Sequence, residues 1–245
     1  MLKGKTAFIT GANRGIGKAI FDRFIKNGAD IICAVRKKKP LFLKYVLSQE
    51  KKYKKKIRII EFDLENDNKI KKAIQLLYKE KVVIDILINN AGIADGSLIE
   101  MTSPDNIKKV FEINFFSQIR ITQLLLRLIK KSKAGSIINI GSLSGIVALR
   151  GAISYGSSKA ALMYATKVMA EEFSIYKIRV NSIAPNVTNS DMMKLMNKDI
   201  MKKLLKKSNL KKPHTVNQVA DLALFLASEK SLNKNGKIIK ITGKK

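Results

Sequence analysis

Cysteine and histidine each occur once in this chain of 245 residues, as Cys33 and His214. An internal disulfide is therefore excluded, as is any cysteine-rich metal site, and no metal centre is expected. Cys33 lies in an apolar run and reads as a small buried residue rather than a nucleophile. His214, in Lys212-Pro-His-Thr215, reads as a loop residue at the surface. No run of about 18 or more apolar residues occurs, so a membrane-spanning helix is not expected. The opening Met-Leu-Lys-Gly-Lys passes straight into a strand pattern, and no signal peptide is expected. Together these features fit a reducing, cytoplasmic setting.

Acidic residues are scarce too: 19 Asp and Glu stand against 48 Lys and Arg, a net charge of +29. Lysine supplies 40 of those cations and arginine only 8. Lysines cluster at 37–39, 51–56 and 202–212. Such a field attracts polyanions through charge alone. Selective reading of nucleic acid draws on arginine forks and stacking aromatics, and the clusters hold no aromatic beyond Tyr53. The expectation is a lysine-biased solvated surface that holds nucleic acid only non-specifically.

What is present is an alternation. Strand patterns fall at 5–10, 30–35, 57–62, 84–89, 136–141, 178–183 and 237–241. They are short, apolar on both faces and rich in Ile and Val, as in a sheet covered on both sides. Helical patterns fall between them at 15–27, 40–53, 67–79, 103–131, 154–176 and 216–228. This βαβ rhythm predicts a doubly wound parallel sheet of about seven strands with helices on both faces. With 46% hydrophobic content and no linker, repeat or low-complexity break, one α/β domain over 1–245 is expected. A Met- and Lys-rich helical insertion at 186–214 follows a strand end, where ligands bind in such sheets, and is read as a substrate lid.

The first strand runs into Thr10-Gly-Ala-Asn-Arg-Gly-Ile-Gly17 and then a helix. Gly11, Gly15 and Gly17 permit a tight turn and close approach of backbone to a pyrophosphate, cradled by the loop residues Asn13, Arg14 and Ile16 at a helix N-terminus. An acidic residue ending the second strand would hydrogen-bond a ribose 2′-hydroxyl. This chain has Ala34-Val35-Arg36-Lys37 instead. Arg36, with Arg14 beside it, can pair with a 2′-phosphate, so NADP(H) is expected over NAD(H). Asp63-Leu64 after strand three is placed to meet the adenine. Asn89-Asn90-Ala91-Gly92 after strand four leaves room for the adenosine ribose, or ties neighbouring strand ends together.

Ser142, Tyr155 and Lys159 form a Ser-x12-Tyr-x3-Lys spacing. Residues four apart share a helix face, so the phenol and the ammonium can meet. A nearby positive charge is expected to lower the phenol pKa from about 10 and suit Tyr155 to proton transfer. Ser142, ending an apolar strand, can hold a carbonyl oxygen near that phenol.

Taken together, these motifs resemble the classical short-chain dehydrogenase/reductase family across essentially the whole chain. Thr10-Gly11-x3-Gly15-x-Gly17, Asn89-Asn-Ala-Gly92, Asn114, Ser142 and Tyr155-x3-Lys159 carry the resemblance. Within it the chain is most similar to 3-oxoacyl-acyl-carrier-protein reductases. The resemblance implies a Rossmann fold and an NADPH-dependent reduction of a ketone carbonyl. By it, Tyr155 donates a proton, Lys159 binds the nicotinamide ribose, Ser142 orients the carbonyl and Asn114 holds a water linked to Lys159. It also places Thr188 at the carboxamide and Ser190 near the pyrophosphate, and implies a homotetramer or homodimer. As substrate it implies a 3-oxoacyl thioester or a related small or sugar-like carbonyl, free or on an acidic carrier protein that Arg120 and Arg127 can face. Pro185-Asn186 replaces the family's Pro-Gly, Glu171 stands at a common arginine position, and Gly243-Lys244-Lys245 replaces a C-terminal Gly-Gly. Oxidation of a secondary alcohol, and a basic nucleic-acid-binding protein on the same fold, are the alternatives.

Overall fold

The computed structural model describes residues 1–189, 205 and 210–242. Seven parallel strands form one sheet in the order β3-β2-β1-β4-β5-β6-β9. They are β1 Thr6–Thr10, β2 Asp30–Val35, β3 Ile57–Glu61, β4 Ile86–Asn89, β5 Ser136–Ile140, β6 Arg179–Pro185 and β9 Ile238–Ile241. The helices are α1 Gly15–Lys26, α2 Pro40–Tyr53, α3 Asp67–Lys79, α4 Pro104–Phe111, α5 Ser117–Ile129, α6 Ile153–Phe173 and α7 Val216–Ala227.

Period-two alternation sorts the strand residues between two cores. Ala7, Ile9, Ile31, Cys33, Ile86 and Ile88 face α1, α2 and α7, meeting Phe21, Phe24, Phe42 and Leu224. Phe8, Ile32, Leu87, Ile137 and Val180 face α3, α5 and α6, meeting Ile74, Leu125 and Phe173. The doubly wound parallel sheet read from the sequence is therefore what forms. Strand order reverses between β1 and β4, which opens the ligand crevice of this architecture at their carboxyl ends. Among the described residues, no helix is long and apolar enough to cross a membrane.

Two local features depart from expectation, at 112–116 and at His214, and a third, at Asn186, shapes a turn. The helix expected over 103–131 is interrupted by a π-turn, Glu112–Phe116, between α4 and α5. Such a turn inserts a residue and re-aims side chains, here Asn114, which is completely buried. His214 is not a surface loop residue. It is 7% exposed in the short strand β8, His214–Thr215, which pairs in parallel with β7, Thr188–Asn189. Asn186 does not adopt a left-handed backbone; its Oδ1 accepts from Val187 N at 2.8 Å and so shapes the turn. Most of the insertion expected as a lid, with Ser190, lies outside the described residues, as does Gly243-Lys244-Lys245.

Candidate active site

At the end of β1 the chain must turn into α1 within a few residues, and Gly11 (φ 66°) and Gly15 (φ 56°) take left-handed backbone there. A Cβ on Gly17 would lie 2.2 Å from Gly11 O and 2.5 Å from Asn90 Nδ2, so only glycine fits. Thr10 fastens this loop to the segment after β4. Its hydroxyl donates to Ile88 O at 3.2 Å and accepts from Asn90 N at 2.9 Å and Ala91 N at 3.0 Å. Asn90 Nδ2 returns a hydrogen bond to Thr10 O at 2.8 Å. The expected tie between strand ends thus forms, and it leaves a glycine-lined cradle at the N-terminus of α1, of the kind a pyrophosphate occupies. Asn13 sits half-buried in the loop, Ile16 half-buried in the first turn of α1, and Arg14 is exposed at the helix cap.

Beside the end of β2 lies a cavity of about 740 Å³ lined by Arg36, Lys37, Lys39, Lys69, Glu61 and Asp63, with Phe62. Arg36 is where the sequence places it, whereas Arg14 is not among the lining residues. Two lining groups were missed. Lys69 comes from α3, and Glu61 comes from β3, in register with Val35. Glu61 Oε2 accepts from Lys38 N at 2.6 Å and so holds the basic turn. Asp63 Oδ1 accepts from Glu65 N at 3.2 Å, and Leu64 packs against the core.

The second half of the site comes from β5, α6 and the π-turn. Ser142 lies two residues beyond the end of β5 and accepts from Ser144 N at 3.2 Å. Tyr155 and Lys159 sit in the first two turns of α6. Lys159 is 3% exposed, and its Nζ donates to Ile140 O at 2.8 Å. Desolvation lowers its pKa to about 8. The expected lowering of the Tyr155 pKa by Lys159 is not what this arrangement produces. Nζ stands 6.0 Å from the phenol ring centroid, desolvation raises the phenol pKa, and the Ser142 hydroxyl opposes that rise.

Asn114 and Lys159 converge on Gly92. A Cβ there would lie 2.9 Å from Asn114 Oδ1 and 3.4 Å from Lys159 Nζ. Asn114 grips the adjacent backbone in both directions, accepting from Ile93 N and donating to Ile93 O, each at 2.9 Å. Its Nδ2 also donates to Ser158 Oγ at 3.1 Å. A second layer joins the strands beneath: Asn89 Nδ2 donates to Asn139 Oδ1 at 2.8 Å, and Asn139 Nδ2 to Thr166 Oγ1 at 2.8 Å. Polar residues inside the apolar β4 and β5 patterns were the signal for this layer.

Next to Ser142 and Tyr155, a second cavity of about 610 Å³ runs between Leu98–Glu100 and the segment 144–160, with Ile99, Val147, Leu149 and Ile153 on its walls. Thr188 is buried in β7, with its hydroxyl donating to Asn186 O at 2.8 Å. Arg120 does not present a free cation to a carrier: it pairs with Asp67, and with Glu112 at 3.0 Å.

Residues 5–201 match the family model described as short chain dehydrogenase. The chain is 31% identical to the 3-oxoacyl-acyl-carrier-protein reductase of Aquifex aeolicus, over 99% of this chain and 97% of that one. A short chain dehydrogenase from Burkholderia cenocepacia, solved in complex with NADP, superposes with a TM-score of 0.89 at 26% identity, covering 99% of this chain and 98% of that one. L-sorbose reductase from Gluconobacter frateurii, solved with NADPH and L-sorbose, superposes with a TM-score of 0.87 at 25% identity, covering 99% and 96%.

Proposed function

Because the chain belongs to the short-chain dehydrogenase/reductase family and is an NAD(P)-dependent oxidoreductase, we propose that it reduces a ketone carbonyl with NADPH. The observation that carries this reading is the convergence of Asn114 and Lys159 on Gly92 after β4, with the Tyr155 phenol hydrogen-bonded to Ser142 and its ring 6.0 Å from the Lys159 Nζ. The glycine cradle fits a dinucleotide pyrophosphate. Bound there, the cofactor supplies the hydride.

In this reading Tyr155 donates its phenolic proton to the carbonyl oxygen, and Ser142 holds that oxygen within reach. Lys159, with its pKa lowered to about 8, is mainly protonated at neutral pH and binds the nicotinamide ribose hydroxyls. It also places a positive charge behind the phenolate as the proton leaves. Asn114 holds Gly92 and Ile93 against this lysine, keeping a Cβ-free surface for the cofactor. Gly11, Asn13, Arg14, Gly15, Ile16, Gly17, Asp63, Leu64, Asn90, Ala91, Thr188 and Ser190 complete the cofactor contacts of the reading.

Preference for NADPH rests on the cavity beside β2. It has two more cations than carboxylates, and no acidic residue ends β2 itself. Arg36 is the fork for the 2′-phosphate, with Lys37, Lys39 and Lys69 around it. Tetramer or dimer formation through α5 and α6 is supported by Phe116, Tyr164 and Val168 next to or on these helices, which are 48%, 70% and 40% exposed. A small free ketone or sugar-like carbonyl suits the apolar second cavity, and the engagement of Arg120 weakens the case for a carrier-bound thioester. The test is oxidation of NADPH over a panel of ketoses, aliphatic ketones and 3-oxoacyl thioesters. Turnover with at least one class is expected, and failure across all classes would defeat the reading.

A further inference from the structure

We propose that Asp95 is a positioning residue for Tyr155, acting through the Ser154 hydroxyl; the inference rests on the reading of Tyr155 as the proton donor. α6 begins without help from its own sequence. Ala152, which precedes it, provides no side-chain cap, and its first turn has no acidic residue. The N-terminus of a 21-residue helix favours a carboxylate nearby. Asp95 brings one from the loop after β4. Ser154, 1% exposed and immediately before Tyr155, donates from Oγ to Asp95 Oδ2 at 3.2 Å. Ser97 Oγ reaches Asp95 Oδ1 at 3.5 Å, a weaker contact that steadies the carboxylate.

The same loop holds the other side of the Tyr155 turn. Ser158 Oγ donates to Tyr155 O at 2.8 Å and accepts from Asn114 Nδ2, whose carboxamide is fixed to Ile93. One short segment, 92–97, therefore tethers the tyrosine's turn from both ends: through Asp95 and Ser154 in front, and through Asn114 and Ser158 behind. Gly151, in left-handed backbone (φ 79°), packs the entry to α6 beside Gly96 of that segment. The segment continues into Leu98, Ile99 and Glu100, which wall the second cavity. The wall that meets a substrate and the placement of the phenol are thus parts of one connected unit, and Asp95 is its side-chain link to α6.

The phenol must lie within about 0.5 Å of its productive position for efficient proton transfer. Asp95→Ala and Ser154→Ala remove the front tether, whereas Asp95→Asn keeps an acceptor oxygen for Ser154. The experiment measures kcat, NADPH affinity by fluorescence, and hydrogen exchange of the peptide spanning 152–158 in each variant. Expected are a fall in kcat of about tenfold or more for both alanine variants, NADPH affinity within about twofold of wild type, faster exchange at 152–158, and recovery in Asp95→Asn. Wild-type kcat and exchange in Asp95→Ala would overturn the inference, as would Asp95→Asn behaving like Asp95→Ala or an equal loss of NADPH affinity. If the wild type itself turns over no carbonyl, the reading of Tyr155 fails. The exchange measurement still decides whether Asp95 orders the start of α6, and unchanged exchange then rejects that as well.

Discussion

Replacing Lys159 by methionine should abolish turnover and make the protein more stable at neutral pH. The ammonium is 3% exposed and its pKa falls from 10.5 to about 8 through desolvation. Below pH 8 both folded and unfolded chains carry the proton, and the folded one bears a charge its surroundings disfavour. Between about 8 and 10.5 the unfolded chain binds more protons than the folded one, so stability rises with pH; above 10.5 the difference is gone. The lowered pKa corresponds to roughly 3 kcal/mol of stability missing at pH 7. Methionine has a similar length and no charge, but it leaves Ile140 O without the donor it has at 2.8 Å, a loss of about 1 kcal/mol. The net expectation is a gain of about 2 kcal/mol at pH 7, or about 4–8 °C in Tm for a chain of this size. Urea unfolding at fixed protein concentration, at pH 7 and again near pH 10, reads both quantities. The wild type should gain stability between the two pH values while the variant does not. A variant less stable than wild type at pH 7, or a wild type whose stability does not rise above pH 8, would refute the reasoning.

Further outcomes follow from other parts of the site. Arg36→Asp should shift preference from NADPH toward NADH, read as the ratio of kcat/KM values; an unchanged ratio removes Arg36 from the 2′-phosphate site. Gly17→Ala should lose NADPH binding and about 1–3 kcal/mol of stability, because its Cβ would fall 2.2 Å from Gly11 O. Titration and thermal melts check it, and wild-type affinity would contradict the cradle. Arg120→Ala should lower stability by about 1 kcal/mol without changing the ratio of kcat/KM on carrier-bound and free thioesters. A selective loss on the carrier-bound substrate would show that Arg120 leaves its carboxylates to meet the carrier.

Much of the architecture was legible because each strand is an Ile- and Val-rich run bounded by helical periodicity, and because glycines mark the β1–α1 turn. The Ser142, Tyr155 and Lys159 spacing was legible for a similar reason: a helix and an adjacent strand end fix their separation. Features that depend on distant segments were not. Glu61 enters the basic cavity only because β3 lies in parallel register beside β2. His214 is buried by a strand of two residues, too short to show any alternation. The π-turn at Asn114 arises where a polar side chain meets the backbone of Ile93, a contact no local pattern contains. The electrostatics of Tyr155 were misjudged on the same ground. Sequence spacing gave the proximity of a cation but not the desolvation of both groups, which raises the phenol pKa and lowers that of the ammonium.

The most direct test of the account is Tyr155→Phe, assayed for NADPH binding by fluorescence and for ketone reduction by loss of NADPH absorbance. The variant should bind NADPH within about twofold of wild type while its turnover drops by about a hundredfold or more, the contribution expected of a positioned general acid. Near-normal turnover in the variant would contradict the proposal that this phenol protonates the carbonyl.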